Sequence, residues 1–168
     1  CYSCCAPGKA TAMIKLSNQV YRIEPSLPLL YGVAYGKVEA RDIMRNQLLI
    51  WQDPLRQPNM KIIFDGTLVS ALSFERTDFQ EQIDLNNWML AQGHLLEPTA
   101  IIGRKNFDLV MGKMIDMQVQ MAVPIRMGTF LTLREAVDWL ELGHAYEQIA
   151  QLQRDLQVQA VKLRGTLT

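Results

Sequence analysis

Few side chains in this chain have the type and spacing that metal binding requires. The three cysteines are Cys1, Cys4 and Cys5, and the first two have the C-x-x-C spacing of zinc or redox pairs. A structural zinc site needs two further ligands at a comparable spacing, and none follow. The two histidines, His94 and His144, have no acidic or cysteine partner at ligand spacing. We therefore predict no metal site.

Two other patterns resemble phosphate-binding or phosphoacceptor motifs but lack some of the residues that these motifs need. Gly32 and Gly36-Lys37 resemble a phosphate-binding loop, but that loop has four residues between its glycines and a serine or threonine after its lysine. Here three residues separate the glycines, and valine follows the lysine. Asp65 ends a predicted strand, as the phosphoacceptor aspartate of a receiver domain does. The acidic pair and the lysine that such a site also needs are missing. We therefore expect Asp65 to shape a turn with Gly66.

The motifs of common enzyme classes are also missing from the sequence. It contains no Gly-x-Ser-x-Gly elbow, no His-Glu-x-x-His helix and no Rossmann glycine pattern. We therefore predict no catalytic residues, no cofactor and no enzymatic activity.

The composition limits the protein class. With 49% hydrophobic and 20% charged residues, the chain can bury a core. Its 17 basic and 17 acidic side chains cancel, whereas a nucleic-acid binder normally has a basic excess. No apolar run approaches the roughly 20 residues that span a bilayer. The charge balance and the missing apolar run predict a protein without nucleic-acid partners and without a transmembrane segment. Because the body lacks cysteine, we predict a cytoplasmic setting.

The positions of the periodic segments divide the chain into three parts. Residues 1–12 have no periodicity, which predicts a disordered or appended leader. Residues 13–143 are predicted to form an α/β domain, and residues 144–168 a C-terminal helix.

The predicted domain is organised around Met60–Ser73. Its β-branched and aromatic residues predict a buried strand at Lys61–Phe64. Asp65-Gly66 predicts a turn, and Ser73 predicts the cap of the next helix.

Strands and helices alternate in the remaining pattern. Alternation therefore predicts a mixed, mostly parallel five-stranded sheet covered by helices, with an antiparallel entry hairpin. The predicted strands are Val20–Glu24, Leu29–Gly36, Lys61–Phe64, Pro98–Gly103 and Pro124–Leu131. The predicted helices are Val38–Gln52, Ser73–Gly93, one from Asn106, Leu133–Leu142 and His144–Arg164.

This order resembles the STAS domain, the fold of the anti-sigma-factor antagonist SpoIIAA, and is most similar to divergent SpoIIAA-like, or STAS/CRAL-TRIO-like, bacterial proteins. The resemblance covers about Val20–Leu142. The matching residues are Lys61–Asp65, Val69, Ser73, Ala100–Gly103, Pro124–Met127 and the closing Phe130…Glu135-Ala136-Val137-Asp138-Trp139-Leu140.

The resemblance implies a non-catalytic regulatory module that binds a protein partner, such as a kinase or a sigma-factor regulator. In phospho-switched STAS proteins, an Asp-Ser pair begins the helix after the central strand. The equivalent pair here is Ser73-Phe74, so serine occupies the acidic position and phenylalanine the phosphoacceptor position. Ser73 and Ser70 are the candidate phosphoacceptors nearby, unless Ser73 is only a helix cap. The predicted partner-binding residues are Gly66, Thr67, Ser70, Ser73 and Phe74.

Methionines are concentrated late in the domain. Five of the nine lie between Met111 and Met127. Methionine fills irregular core gaps and also forms adaptable binding surfaces. Besides core filling, Met111, Met114 and Met121 are therefore candidates for an apolar-ligand site. With the CRAL-TRIO-like resemblance, this makes a small apolar-ligand or lipid-binding protein the alternative function.

The last predicted helix has apolar residues at near-heptad spacing: Ile149, Leu152, Leu156 and Leu163. Such a stripe either packs back on the domain or forms a homodimer contact, and both alternatives stay open.

Overall fold

The protein is described by a computed structural model, which covers residues 13–93, 97–104, 112 and 126–165. The predicted leader, most of the predicted helix from Asn106, and Met111, Met114 and Met121 lie outside the described residues. The strands are β1 Ile14–Leu16, β2 Gln19–Glu24, β3 Leu29–Glu39, β4 Lys61–Ser73, β5 Thr99–Ile102 and β6 Met127–Phe130. The helices are α1 Ala40–Trp51, α2 Arg76–Ala91, α3 Leu133–Trp139 and α4 Tyr146–Gly165, with a 3-10 turn at Gly143–Ala145 before α4.

The described strands form one mixed sheet in the order β1-β2-β3-β4-β5-β6. The first three strands are antiparallel neighbours, and β3 to β6 run parallel. The prediction of a mostly parallel sheet with an antiparallel entry hairpin is confirmed. The sheet has six strands instead of five because Ile14–Leu16, too short to show alternation, pairs with β2.

The two faces of the sheet are covered by different helices. Because side chains alternate along a strand, Val20, Tyr31 and Ile63 share one face, where α3 and α4 complete the main core. Tyr21 and Ile23 point to the opposite face, where α1 packs. The sheet is thus a layer between two sets of helices.

Helix α4 packs back onto the sheet. Ile149, Leu152 and Leu156 are buried in the main core, while Val158 and Val161 are exposed. Of the two alternatives for the apolar stripe, the structure shows packing within the chain. A dimer contact through the same stripe would have to displace this packing.

Strand β4 differs most from its prediction. It continues through Asp65-Gly66 to Ser73, so the predicted turn is wrong. Its register against β3 shifts twice, once between Asp65 and Leu68 and once between Val69 and Ala71. These shifts are β-bulges, each of which inserts one extra residue and bends the strand without ending it.

The start of α2 also differs from its prediction. The cap is Glu75, not Ser73, and the Glu75 N–H donates a hydrogen bond to Asp78 Oδ2 at 2.7 Å in a capping box. Ser73 is still part of β4. By contrast, the predicted capping box of α3 is confirmed: Thr132 N–H donates to Glu135 Oε2 at 3.1 Å, and Glu135 N–H to Thr132 Oγ1 at 3.3 Å.

Candidate functional site

The second half of β4 extends beyond its neighbour β5. Strand β5 pairs with Ile62–Asp65 only, whereas β3 accompanies β4 as far as Ser73. We name Gly66–Ser73 the β4 extension. Among the described strands, none pairs with its side facing away from β3. Backbone groups of a strand point alternately to its two sides, so the N–H and C=O groups on this edge have no partner among the described strands.

The structure places the predicted partner-binding residues at different depths along this edge. Ser70 and Ser73 are exposed, Thr67 and Phe74 are half-buried, and Gly66 is buried. Ala71, which the sequence did not single out, is exposed between the two serines. The surface that a partner can reach is therefore centred on Ser70–Ser73.

Asp65 anchors the start of the β4 extension. Its side chain is fully buried and accepts five hydrogen bonds. Oδ1 accepts from Thr67 N–H at 2.9 Å and from Thr67 Oγ1 at 2.6 Å. Oδ2 accepts from the Tyr31 hydroxyl at 3.3 Å and from the amides of Gln153 and Gln157 at 2.9 and 3.0 Å. We name these five residues the Asp65 network.

This network gives Asp65 a structural role. A carboxylate offers about four lone-pair positions, so five donors use its acceptor capacity completely. The same contacts tie helix α4 to the first bulge of β4, since Gln157 also donates to Thr67 Oγ1 at 3.3 Å. The network therefore sets where the β4 extension begins and how it leaves the sheet.

Tyr31 remains a neutral donor in this network. Its burial, and then the negative charge and hydrogen bond of Asp65, raise the pKa of its hydroxyl well above the ordinary value. Ionising the phenol would place a second negative charge beside a buried carboxylate.

An acidic cleft lies where β3 and β4 end and where α1 and α2 begin. Its volume is about 470 Å³. Four carboxylates and one guanidinium line it, so its formal charge is −3. The lining residues are Glu39, Ala40, Arg41, Ser73, Glu75, Thr77, Asp78 and Glu81. Three of these carboxylates, Glu39, Glu75 and Asp78, also take part in the capping boxes of α1 and α2.

A half-buried apolar cluster lies beside the cleft. The rings of Phe74 and Phe79 stack with centroids 5.4 Å apart. Together with Phe64, Val69, Leu72 and Met127, they surround the buried Ile101. We name this set the Phe74 cluster. It gives the end of β4 an apolar surface next to an acidic one.

The two candidate phosphoacceptors have different surroundings. Both Ser70 and Ser73 are exposed, but Ser73 lines the acidic cleft. A phosphate on Ser73 would add about two negative charges beside the carboxylates of the cleft. Electrostatics therefore favour Ser70 over Ser73 as an acceptor, and phosphorylation itself stays a prediction.

Several predicted features have no described geometry. Met111, Met114 and Met121 lie outside the described residues, so the apolar-ligand alternative stays a prediction. Within the described part of the chain, no group of three or more His, Cys, Asp and Glu side chains is arranged to hold a metal ion. Among the described helices, none combines the length and apolar character needed to cross a bilayer.

Comparisons with known proteins concern the fold. No protein-family model and no curated protein sequence matches the chain. A solved structure of an uncharacterized protein from the DUF3478 family of Shewanella loihica PV-4 is similar over 83% of this chain and 98% of its own, with 21% identity and a TM-score of 0.41. That protein is described as having a SpoIIAA-like fold. This is the fold that the sequence resemblance named, and at this identity the similarity assigns no residue a role.

Sequence reasoning missed the Asp65 network. Gln153 and Gln157 are one helical turn apart, a spacing that places both on one face of α4. They adjoin Leu152 and Leu156, which are buried. Polar residues beside a buried stripe are the feature of the sequence that could have indicated a buried hydrogen-bond network. Their acceptor is 88 and 92 residues away in the chain, which no local pattern reveals.

Proposed function

We propose that the protein is a non-catalytic regulatory module that binds a protein partner through the β4 extension and Phe74. The observation that supports this proposal is that β4 continues past β5, so that Ser70, Ala71 and Ser73 are exposed on an edge with which no described strand pairs. An edge of this kind is a recurrent site of protein–protein contact.

The surroundings of this edge support binding over catalysis. The buried carboxylate of Asp65 is saturated by its donors and is not available as a general base. Glu75 and Asp78 cap α2. Neither the β4 extension nor the lining of the acidic cleft contains a histidine or cysteine that would act as a base or nucleophile.

The class of partner follows from the sequence resemblance. We propose a cytoplasmic setting and a kinase or a sigma-factor regulator as partner, because STAS-like modules act on such proteins. A phosphate on Ser70 would change the charge of an otherwise neutral edge, which is a direct way to switch this contact.

Site-specific photo-crosslinking tests the proposal. A photoreactive phenylalanine analogue replaces Ala71 in one variant and Gln148, an exposed residue of α4, in the control. We expect one protein of the native host to be crosslinked from Ala71 and not from Gln148. That protein, once purified, should bind the wild type and bind Ala71→Lys about tenfold or more weakly, because a lysine on a strand edge opposes pairing with another strand. A tenfold loss corresponds to about 1.4 kcal/mol.

The control variant for affinity is Gln148→Lys. It adds the same charge to an exposed helix position and should leave binding unchanged. Equal crosslinking from both positions, or equal affinity for Ala71→Lys and wild type, would contradict binding through the β4 extension.

A further inference from the structure

The β4 extension combines a sheet edge, an acidic cleft and an apolar cluster. From this combination we propose that it binds an extended basic segment of another protein, with apolar residues at alternate positions, as an added β-strand. The inference rests on the proposed partner-binding role and specifies the chemistry of the partner.

The sequence of the edge favours strand addition. Proteins usually protect exposed edges with lysine, other charges or proline, which oppose pairing with another strand. The β4 extension, Gly-Thr-Leu-Val-Ser-Ala-Leu-Ser, contains none of these. By contrast, Lys15 lies in the middle of the short edge strand β1.

The bulges limit where a strand can be added. A bulge interrupts regular pairing and Ser70 is the extra residue of the second bulge, so we expect an added segment to pair over about three residues, from Ala71 to Ser73. Every second side chain of such a segment would point towards the face on which the Phe74 cluster lies, because side chains alternate. This accounts for apolar residues at alternate positions.

The charge of the partner segment follows from the acidic cleft. The cleft has a formal charge of −3, and Ser73 belongs both to its lining and to the β4 extension. A basic residue of the added segment beside Ser73 would therefore lie near the carboxylates of the cleft. Lys37 pairs with Ala71 but belongs to β3, on the side of β4 that is already paired. It therefore does not lie on the edge that would receive the added segment.

The same charge argues against a second copy of this chain as the occupant. Edge-to-edge pairing of two copies over so few residues would bring two acidic clefts near each other. Like charges that face each other across an interface weaken it. A basic segment of a different protein is favoured instead.

Two short labelled peptides provide the probe. Both have valine at alternate positions, and the positions between are lysine in one peptide and glutamate in the other. We expect the lysine peptide to bind, with weakening at high salt, and the glutamate peptide not to bind. Hydrogen exchange of those Ala71–Ser73 amides that point away from β3 should slow by about tenfold or more when the lysine peptide is bound, because an added strand pairs these groups.

Variants of the cleft separate charge from folding. Thr77 and Glu81 are exposed cleft residues without a capping role, so Thr77→Lys combined with Glu81→Lys brings the formal charge of the lining from −3 to zero without removing a buried contact. We expect the lysine peptide to bind this double variant about tenfold more weakly. The matched control is Glu147→Lys on α4, which packs on the opposite face, and it should bind like the wild type.

The remaining outcomes overturn the proposal in distinguishable ways. Equal binding of both peptides, or unchanged binding to the double variant, would show that charge does not select the segment. If the Ala71–Ser73 amides that point away from β3 are already protected in the free protein, another segment occupies the edge: a second copy if protection depends on concentration, the chain itself if it does not. A partner crosslinked from Ala71 through an acidic segment would refute the partner chemistry and leave the proposed function standing.

Discussion

Replacing Asp65 by alanine should destabilise the protein strongly. The substitution removes the acceptor of five hydrogen bonds. Gln153 and Gln157 are half-buried, so their amides can turn towards water, whereas the hydroxyl of Tyr31 is fully buried and Thr67 N–H cannot turn. Two unsatisfied donors cost about 2–6 kcal/mol in total.

One effect acts in the opposite direction. The wild type buries a carboxylate whose five hydrogen-bond donors are all neutral, and removing that carboxylate removes its desolvation penalty. We therefore expect the free energy of unfolding to fall by about 2–4 kcal/mol, the lower part of the range. This is a large share of the roughly 5–15 kcal/mol that stabilises a typical domain.

Urea unfolding followed by circular dichroism measures this loss. The midpoint should shift to lower urea while the slope stays unchanged, because the surface exposed on unfolding is the same. The matched control is Asp84→Ala on α2, where an exposed carboxylate accepts one hydrogen bond from Gln80 at 2.9 Å. It should change stability by less than about 0.5 kcal/mol.

A result near that of the control would refute the structural role of Asp65. A double-mutant cycle with Gln157→Leu tests the link to α4 directly. If the network acts as a unit, the coupling between Asp65→Ala and Gln157→Leu should be about 0.5–3 kcal/mol, whereas independent sites would add.

Further predictions concern titration, capping and packing. Because burial raises the pKa of Tyr31, the unfolded chain loses this proton first, from the ordinary value of 10.0 upwards, so wild-type stability should fall as the pH rises above 10. Urea titrations at several alkaline pH values should show a smaller loss of stability with pH for Tyr31→Phe. An equal loss for the variant and the wild type would contradict the raised pKa of Tyr31. Thr132→Ala should cost about 1 kcal/mol because it removes the α3 cap, against less than about 0.5 kcal/mol for the exposed Thr77→Ala. Gly128→Ala would place its Cβ 2.8 Å from the ring of Phe130, and should lower the thermal midpoint by an amount equivalent to about 1–3 kcal/mol.

The general architecture was predictable because it depends on local patterns. Alternating apolar residues at Val20–Glu24 and a β-branched run at Lys61–Phe64 are typical of strands, and both are strands in the structure. Helices between consecutive strands require crossovers, which predicted the parallel part of the sheet. The α3 cap was visible as Thr132 and Glu135 three residues apart.

The course of β4 was not predictable in this way. Asp-Gly is a strong local turn signal, yet here β3 continues alongside and pairs with Leu68 and Val69 after the bulge. Pairing with a neighbouring strand outweighed the local preference. For the same reason Ser73 remained in the strand, and the cap passed to Glu75.

The sequence by itself determined the order of strands and helices, because periodicity and capping act over a few neighbouring residues. Only the tertiary structure decided that Asp65 is buried under α4 and that β4 extends past β5 along an edge with which no described strand pairs. Both facts depend on groups far apart in the chain: the donors of Asp65 lie 34 to 92 residues away, apart from its neighbour Thr67. Side-chain hydrogen bonds and strand ends are set by which segments meet in space, and no local pattern specifies that.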